Sequence, residues 1–330
     1  MATAATATIE SIERATNQTF VTKVLYVLRR WPIFPIFIIA TLVFSAVFAP
    51  FVAPHDPIKQ DLRAKTDAPF WYQECGTKTS PINNQEVPEV PWLDKCKQTG
   101  ENFYILGADP LGRGLLTRII YGARVSLVLA AVAIFVGTVV GTVLGLSAGY
   151  FGGILDELIM RLTDIATAIP YLLLALIIVT VLGQKVLING DVIVLVLALA
   201  SWPGIVRLVR GQTLQLKSLD YVSLAQIAGA STLRIMYRHI LPGVANTVVV
   251  ATTLQVGSII LAESILSFLG AGVPPPTPTW GSMVSDGRDY LSSAWWVAFF
   301  PGMAIFLTVL AFNFIGDWLR DRWDPRLRQL

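Results

Sequence analysis

Six apolar stretches recur along this chain, most of them close to the roughly 20 residues that a helix needs to cross a bilayer's hydrocarbon core. Inside lipid, every backbone N–H and C=O must find a partner within the protein, which leaves helices as the economical spanning element for such runs. They fall near 33–52, 125–149, 163–182, 191–206, 244–269 and 295–315. Only 14% of the 330 residues are charged, and mean hydropathy is +0.61. A soluble domain is nearer about a quarter charged. The expected fold class is therefore an all-α polytopic membrane protein with six transmembrane helices.

The division that follows is 1–32 as a polar N-terminal segment, 33–53 as the first span, 54–117 as a long outer segment, 118–316 as a core of five helices, and 317–330 as a short amphipathic tail. The first run is long enough to stay in the membrane, so the N-terminus reads as retained rather than cleaved. Gly137, Gly141, Gly145 and Gly149 stand four apart in the second span. They give one helix face without side chains, suited to close helix packing or to a sliding or pore-lining face. Tyr150 to Thr163 reads as a short connection. Pro170 predicts a kink in the third span, and Trp202-Pro203-Gly204 an interruption of the fourth. Trp280, Trp295 and Trp296 read as anchors at the membrane interface.

Basic residues orient the spans. Arg14, Lys23, Arg29, Arg30, Arg161, Arg207, Arg210, Lys217, Arg234, Arg238, Arg320, Arg322, Arg326 and Arg328 fall on one side, against Lys185 and Arg288 in the short loops opposite. The positive-inside rule makes the richer side cytoplasmic, with both termini there. The 54–117 segment is then outside. It holds seven prolines and both cysteines, Cys75 and Cys96. In an oxidising compartment a Cys75–Cys96 disulfide would close a loop worth roughly 3 kcal/mol to that segment. No further ligands accompany the cysteines, so no metal site is expected.

The longest cytoplasmic interruption runs from Arg207 to Pro242 and carries one acid, Asp220. Helical patterns on either side of Gly229 predict two short amphipathic helices meeting at that glycine, a basic knob between spans, with Pro242 marking the join to the fifth span. The knob could meet a protein partner or lie against lipid headgroups. Glu263 is the carboxylate placed well inside an apolar run, either a functional group or a structural acid near the outer end of its span. There is no Gly-Lys pair and hence no phosphate loop of the G-x-x-x-x-G-K-[ST] kind. His55 and His239 fall on opposite faces of the membrane, and no nucleophile–base pairing is evident. A net charge of +3 with dispersed basic residues offers no nucleic-acid surface.

Several motifs in order resemble one family. Tyr221-Val222-Ser223-Leu224-Ala225 through Gly229 and Ala230 to His239-Ile240-Leu241-Pro242 is similar to the EAA loop of ABC-importer permeases. Ser223 stands where that pattern has Glu, Leu224 replaces its first Ala, and His239 replaces its Ile. The segments Leu106–Gly114, Arg118, Tyr121–Leu127, Trp202-Pro203, Arg207–Gln212, Glu263–Gly270 and Asp324–Arg328, with His55-Asp56-Pro57, resemble C-type permeases of dipeptide, oligopeptide and nickel importers. Against that pattern the stretch around Cys75 to Cys96 looks like an insertion.

The resemblance implies a type I importer permease fold in a bacterial or archaeal plasma membrane. It implies a second homologous permease, two P-loop ATPase subunits and an extracytoplasmic substrate-binding protein as partners. The chain would be non-catalytic and bind no cofactor, ATP–Mg belonging to the ATPases. Tyr221 to Ala230 would be the coupling helix, and peptide the cargo, with nickel, glutathione or sugar as alternatives. A channel or scaffold working without ATPases is the reading from another class.

Overall fold

The computed structural model describes residues 32–69, 71, 104–182 and 191–323. The expected disulfide and the two terminal segments therefore lie outside the described residues, apart from the helical start of the tail. The regular structure among the described residues is helical, apart from one isolated bridge between Ala108 and Gly114. In chain order the helices are α1 (Ile33–Val47), α2 (Ala49–Val52), α3 (Leu115–Phe151), α4 (Gly153–Ala168), α5 (Tyr171–Leu182), α6 (Asp191–Lys217), α7 (Asp220–Ile227), α8 (Thr232–Ile235), α9 (Leu241–Phe268), α10 (Trp280–Gly287) and α11 (Trp296–Trp323).

Among the described residues, four helical paths are long and apolar enough to cross a membrane: α3, α6, the path from Thr232 to Phe268, and α11. A fifth is possible if α4 and α5, bent by 78° at their junction, count together. The first apolar run differs from the expected full span. Its main helix has 15 residues, about 22 Å at 1.5 Å per residue, against about 30 Å of hydrocarbon. Pro50 accounts for the break after Val47: it has no N–H to give, and its ring opposes the carbonyl one turn back.

Three other boundaries are corrected. Residues 153–163, expected as a connection, form most of α4. Charged Asp156, Glu157 and Arg161 interrupt the apolar pattern without interrupting the helix. Helix α6 continues through Pro203 to Lys217 rather than stopping near Val206. A membrane helix tolerates such a proline when neighbours satisfy nearby carbonyls, and here Gln255 Nε2 of α9 donates to Ser201 O at 2.9 Å. Helix α11 likewise runs on to Trp323, absorbing the start of the expected tail.

The glycine ladder is a packing face. Opposite Gly137, Gly141, Gly145 and Gly149 on α3 lie Ser201, Ile205, Val209 and Thr213 on α6, also four apart. A Cβ on Gly141, Gly145 or Gly149 would stand 2.7 Å from the Cβ of its α6 partner. Such contact has no room for alanine, so the two helices approach backbone to backbone. An apolar core joins α3, α5, α6, α9 and α10 through Ala130, Ala175, Leu197, Ile260 and Trp280. Trp280 and Trp296 are therefore not interface anchors. Trp280 is fully buried beside Gly122, its indole N–H donating to Ile119 O at 3.0 Å. Trp296 is also buried, in a cluster with Leu115 and Met283.

Candidate functional site

At the end where α6 stops, the chain turns through Leu219 into α7, then α8, then a π-helical turn over Met236–Ile240 that leads straight into α9. Pro242 does not break this path. It lies where the π-helical turn passes into α9, and the local π adjustment accommodates the proline without ending the helix. Helix α7 ends in the glycine-dependent cap expected of its sequence. Gly229 has φ of 77°, its N–H donates to Gln226 O at 3.0 Å, and Ala230 N–H donates to Ala225 O at 3.0 Å. That paired closure needs the left-handed backbone glycine adopts freely.

Val222, Ile235 and Ile240 are buried in one cluster with Ile205 and Val209 of α6, Val244 and Val248 of α9, and Leu146 of α3. Ala225 and Ala230 pack against its margin. Tyr221 donates its hydroxyl to His239 O at 3.3 Å, with the two rings 6.4 Å apart, so the first and last turns of the knob are tied together. The outer surface carries large apolar side chains beside exposed Arg234 and Arg238. Leu224 is 64% exposed, Ile227 83%, Leu233 78% and Tyr237 76%. Ser223 is exposed as well.

Arg207 and Arg210 face α4. Arg210 meets Asp156 through both carboxylate oxygens at 2.5 and 2.7 Å. Arg207 reaches Asp164 Oδ1 at 2.8 Å and Thr167 Oγ1 at 3.0 Å. Lys217 donates to Tyr150 O at 2.5 Å and lies over that tyrosine ring.

The opposite end holds two further polar constellations. Glu263 of α9 is fully buried, accepting from Ser126 of α3 at 3.0 Å and from Ser267 one turn on at 2.8 Å. This ties α3 to α9 by groups far apart in sequence. The second lies in the Leu106–Gly114 motif, to which sequence reading assigned no role. Asp109 is fully buried, accepting from the backbone N–H of Leu111 and of Arg113 at 2.9 Å each, from Arg113 Nε at 2.7 Å, and from Arg118. Asp286 of α10 stands 3.6 Å from both guanidinium groups. Burial pushes the Asp286 carboxyl above its ordinary range, against the opposing pull of Arg118 and Arg113. The cluster fastens the 104–114 segment to α3 and α10. The four-residue spacing of Asp109 and Arg113 within the Leu106–Gly114 segment is its trace in the sequence. Among the described residues no group of His, Cys, Asp and Glu is arranged to hold a metal ion.

Long apolar helices packed through glycine, with a compact helical knob between two of them, define a multi-pass membrane component. The model of the family described as "binding-protein-dependent transport system inner membrane component" matches residues 141–329, more than half of the chain. The protein belongs to this family of ABC-importer permeases and to its dipeptide-type branch, and it resides in the plasma membrane. It is 40% identical over 287 residues to the di/tripeptide transport system permease protein DppC of Pseudomonas aeruginosa, covering 87% of this chain and 85% of that one. Identity to the dipeptide permease DppC of Haemophilus influenzae is 38% over 294 residues, 89% of this chain and 90% of the other. The glutathione permease GsiD of Escherichia coli is 47% identical over 222 residues, 67% of this chain and 72% of that one.

Proposed function

We propose that this chain is one half of the translocation path of an ATP-driven importer of dipeptides or short oligopeptides. In this reading it pairs with a second permease of similar fold. Two P-loop ATPase subunits dock beneath it, and a substrate-binding protein delivers cargo from outside. The chain itself hydrolyses nothing and holds no cofactor; ATP–Mg belongs to the ATPases.

The observation that carries the proposal is the two-sided character of the knob. Its inner residues are locked between α6 and α9, while Leu224, Ile227, Leu233 and Tyr237 present an apolar surface. Exposed apolar side chains clustered on a rigid support mark a protein contact. An element that must pass on force needs this stiffness, since a loose loop would absorb the motion. With Ser223 in place of the family's Glu, the contact rests on apolar side chains and on Arg234 and Arg238.

Peptide cargo is favoured by the dipeptide-type relatives, which match nearly the whole chain. Glutathione, itself a tripeptide, is the second reading, supported by the higher identity to a glutathione permease over a shorter stretch. The test is Leu224→Asp with Ile227→Asp in the assembled complex. Recovery of the chain with normal helicity but without ATPase subunits supports the docking surface. Unchanged ATPase recovery and transport would overturn it and favour a headgroup-bound knob in a channel or scaffold.

A further inference from the structure

Two prolines fall at matching levels on neighbouring helices. Thr167 of α4 touches Arg207 of α6. Pro170 lies three residues beyond that contact on one chain segment, and Pro203 four residues before it on the other. At Pro170 the α4–α5 path bends by 78°. At Pro203, inside α6, the backbone has no N–H to bond the carbonyl of Leu199. The α4–α5 path is therefore weakest at this level, whereas α6 is braced across Pro203 by α3, whose Gly137 and Gly141 meet Ser201 and Ile205 on either side of it.

On the knob side of that level, α4 and α6 are bound side by side. Ile159 of α4 packs with Val206 of α6 and Ala148 of α3. Arg210–Asp156 is bidentate and partly shielded, Arg207–Asp164 is exposed, and Lys217 clasps Tyr150 just before the α3–α4 turn. The shielded, bidentate pair is the stronger fastening, because an open surface pair contributes little. Beyond the proline level the neighbours change. Leu172, Ala175 and Leu176 of α5 share a cluster with Ile193, Val196 and Leu197 of α6. Helix α6 then runs without interruption from Pro203 to the knob.

We infer that α4, the knob-side half of α6 and the α3 face that both pack on form one rigid body, fastened by Arg210–Asp156 and hinged at Pro170 against α5. Motion of the knob is thereby delivered to α4, an element far from it in sequence. Asp156 and Arg210 are positioning residues for transport, and α4 is the moving arm at that end of the path. The inference rests on the importer reading above.

The test uses the complete transporter in nanodiscs, with Cys75 and Cys96 replaced by serine and spin labels at exposed sites. One pair, Leu158→Cys with Leu214→Cys, lies within the body. Another, Leu158→Cys with Leu173→Cys, spans the hinge. Between the nucleotide-free and ATP–Mg states, the first distance is expected to hold and the second to change. Arg210→Asp alone should lower cargo moved per ATP hydrolysed by about tenfold, with assembly and basal hydrolysis intact. The exchange Asp156→Arg with Arg210→Asp should restore it. A complex that hydrolyses ATP while the cross-hinge distance stays fixed, or the within-body distance changes, would overturn the hinge and leave the importer intact. A complex with no ATPase at all would overturn the importer reading, and the ATP-driven arm with it.

Discussion

Gly145 of α3 and Val209 of α6 are in such close contact that a Cβ on the glycine would meet the valine Cβ at 2.7 Å and Val206 O at 2.8 Å. The obstruction includes backbone, so a side-chain rotation cannot relieve it. Gly145→Leu should therefore force α3 and α6 apart and cost about 1–3 kcal/mol or more. Gly211, on a face of α6 with nothing within 4 Å of its Cβ position, is the control. There, Gly211→Ala should be neutral or stabilise by up to about 1 kcal/mol. Thermal unfolding of the two variants in mild detergent checks the contrast.

Asp109 and Asp286 share two arginines but differ in consequence. Asp109→Asn leaves two buried guanidinium groups short of a charge and should cost about 3–5 kcal/mol, with the outer segment opening to protease. Asp286→Asn should be well tolerated. Because its carboxyl is raised in the folded protein, Asp286 favours folding below its unfolded value and loses that contribution as pH rises through the folded one. Relative to Asp286→Asn, the native protein's melting temperature should thus fall as pH rises through the acid range.

The Glu263 clamp separates a shape effect from a hydrogen-bond effect. Glu263→Gln keeps an acceptor for one serine, and thermal stability should change by no more than about 1 kcal/mol. Glu263→Leu strips Ser126 and Ser267 of their shared partner and should cost about 1–3 kcal/mol. Equal melting temperatures for the two variants would mean that the hydroxyl contacts contribute nothing.

Gly229 tests the knob's stiffness. Space around it is open, so only its backbone angle restricts substitution. Gly229→Ala should cost about 1–2 kcal/mol locally, and Gly229→Asn less, since asparagine tolerates that backbone better. Hydrogen exchange at the Gly229 and Ala230 amides should speed up in that order, and transport should fall in the same order.

Much of this was readable in the sequence because the signal is local. The four-residue glycine repeat already specified a helix face, and Gly229 between two amphipathic patterns already specified a cap. What escaped depended on partners distant in the chain. Most of helix α4 reads as a connection because Asp156 looks solvated until Arg210, 54 residues later, is seen to meet it. Pro203 read as an end because the carbonyl contact from Gln255 of α9 is invisible in one segment. Trp280 read as an anchor, since nothing local shows that Gly122 leaves a slot for it. The Asp109 cluster is hidden in the sequence for the same reason: its fourth member, Asp286, is supplied by α10.

The most direct test of the central claim is purification of the tagged chain in mild detergent, with bound subunits identified by mass spectrometry and ATP hydrolysis assayed. A second multi-span permease and P-loop subunits should co-purify, with hydrolysis stimulated by a cargo-loaded binding protein. Recovery of the chain alone from several detergents, with no ATPase and no hydrolysis, would contradict the account.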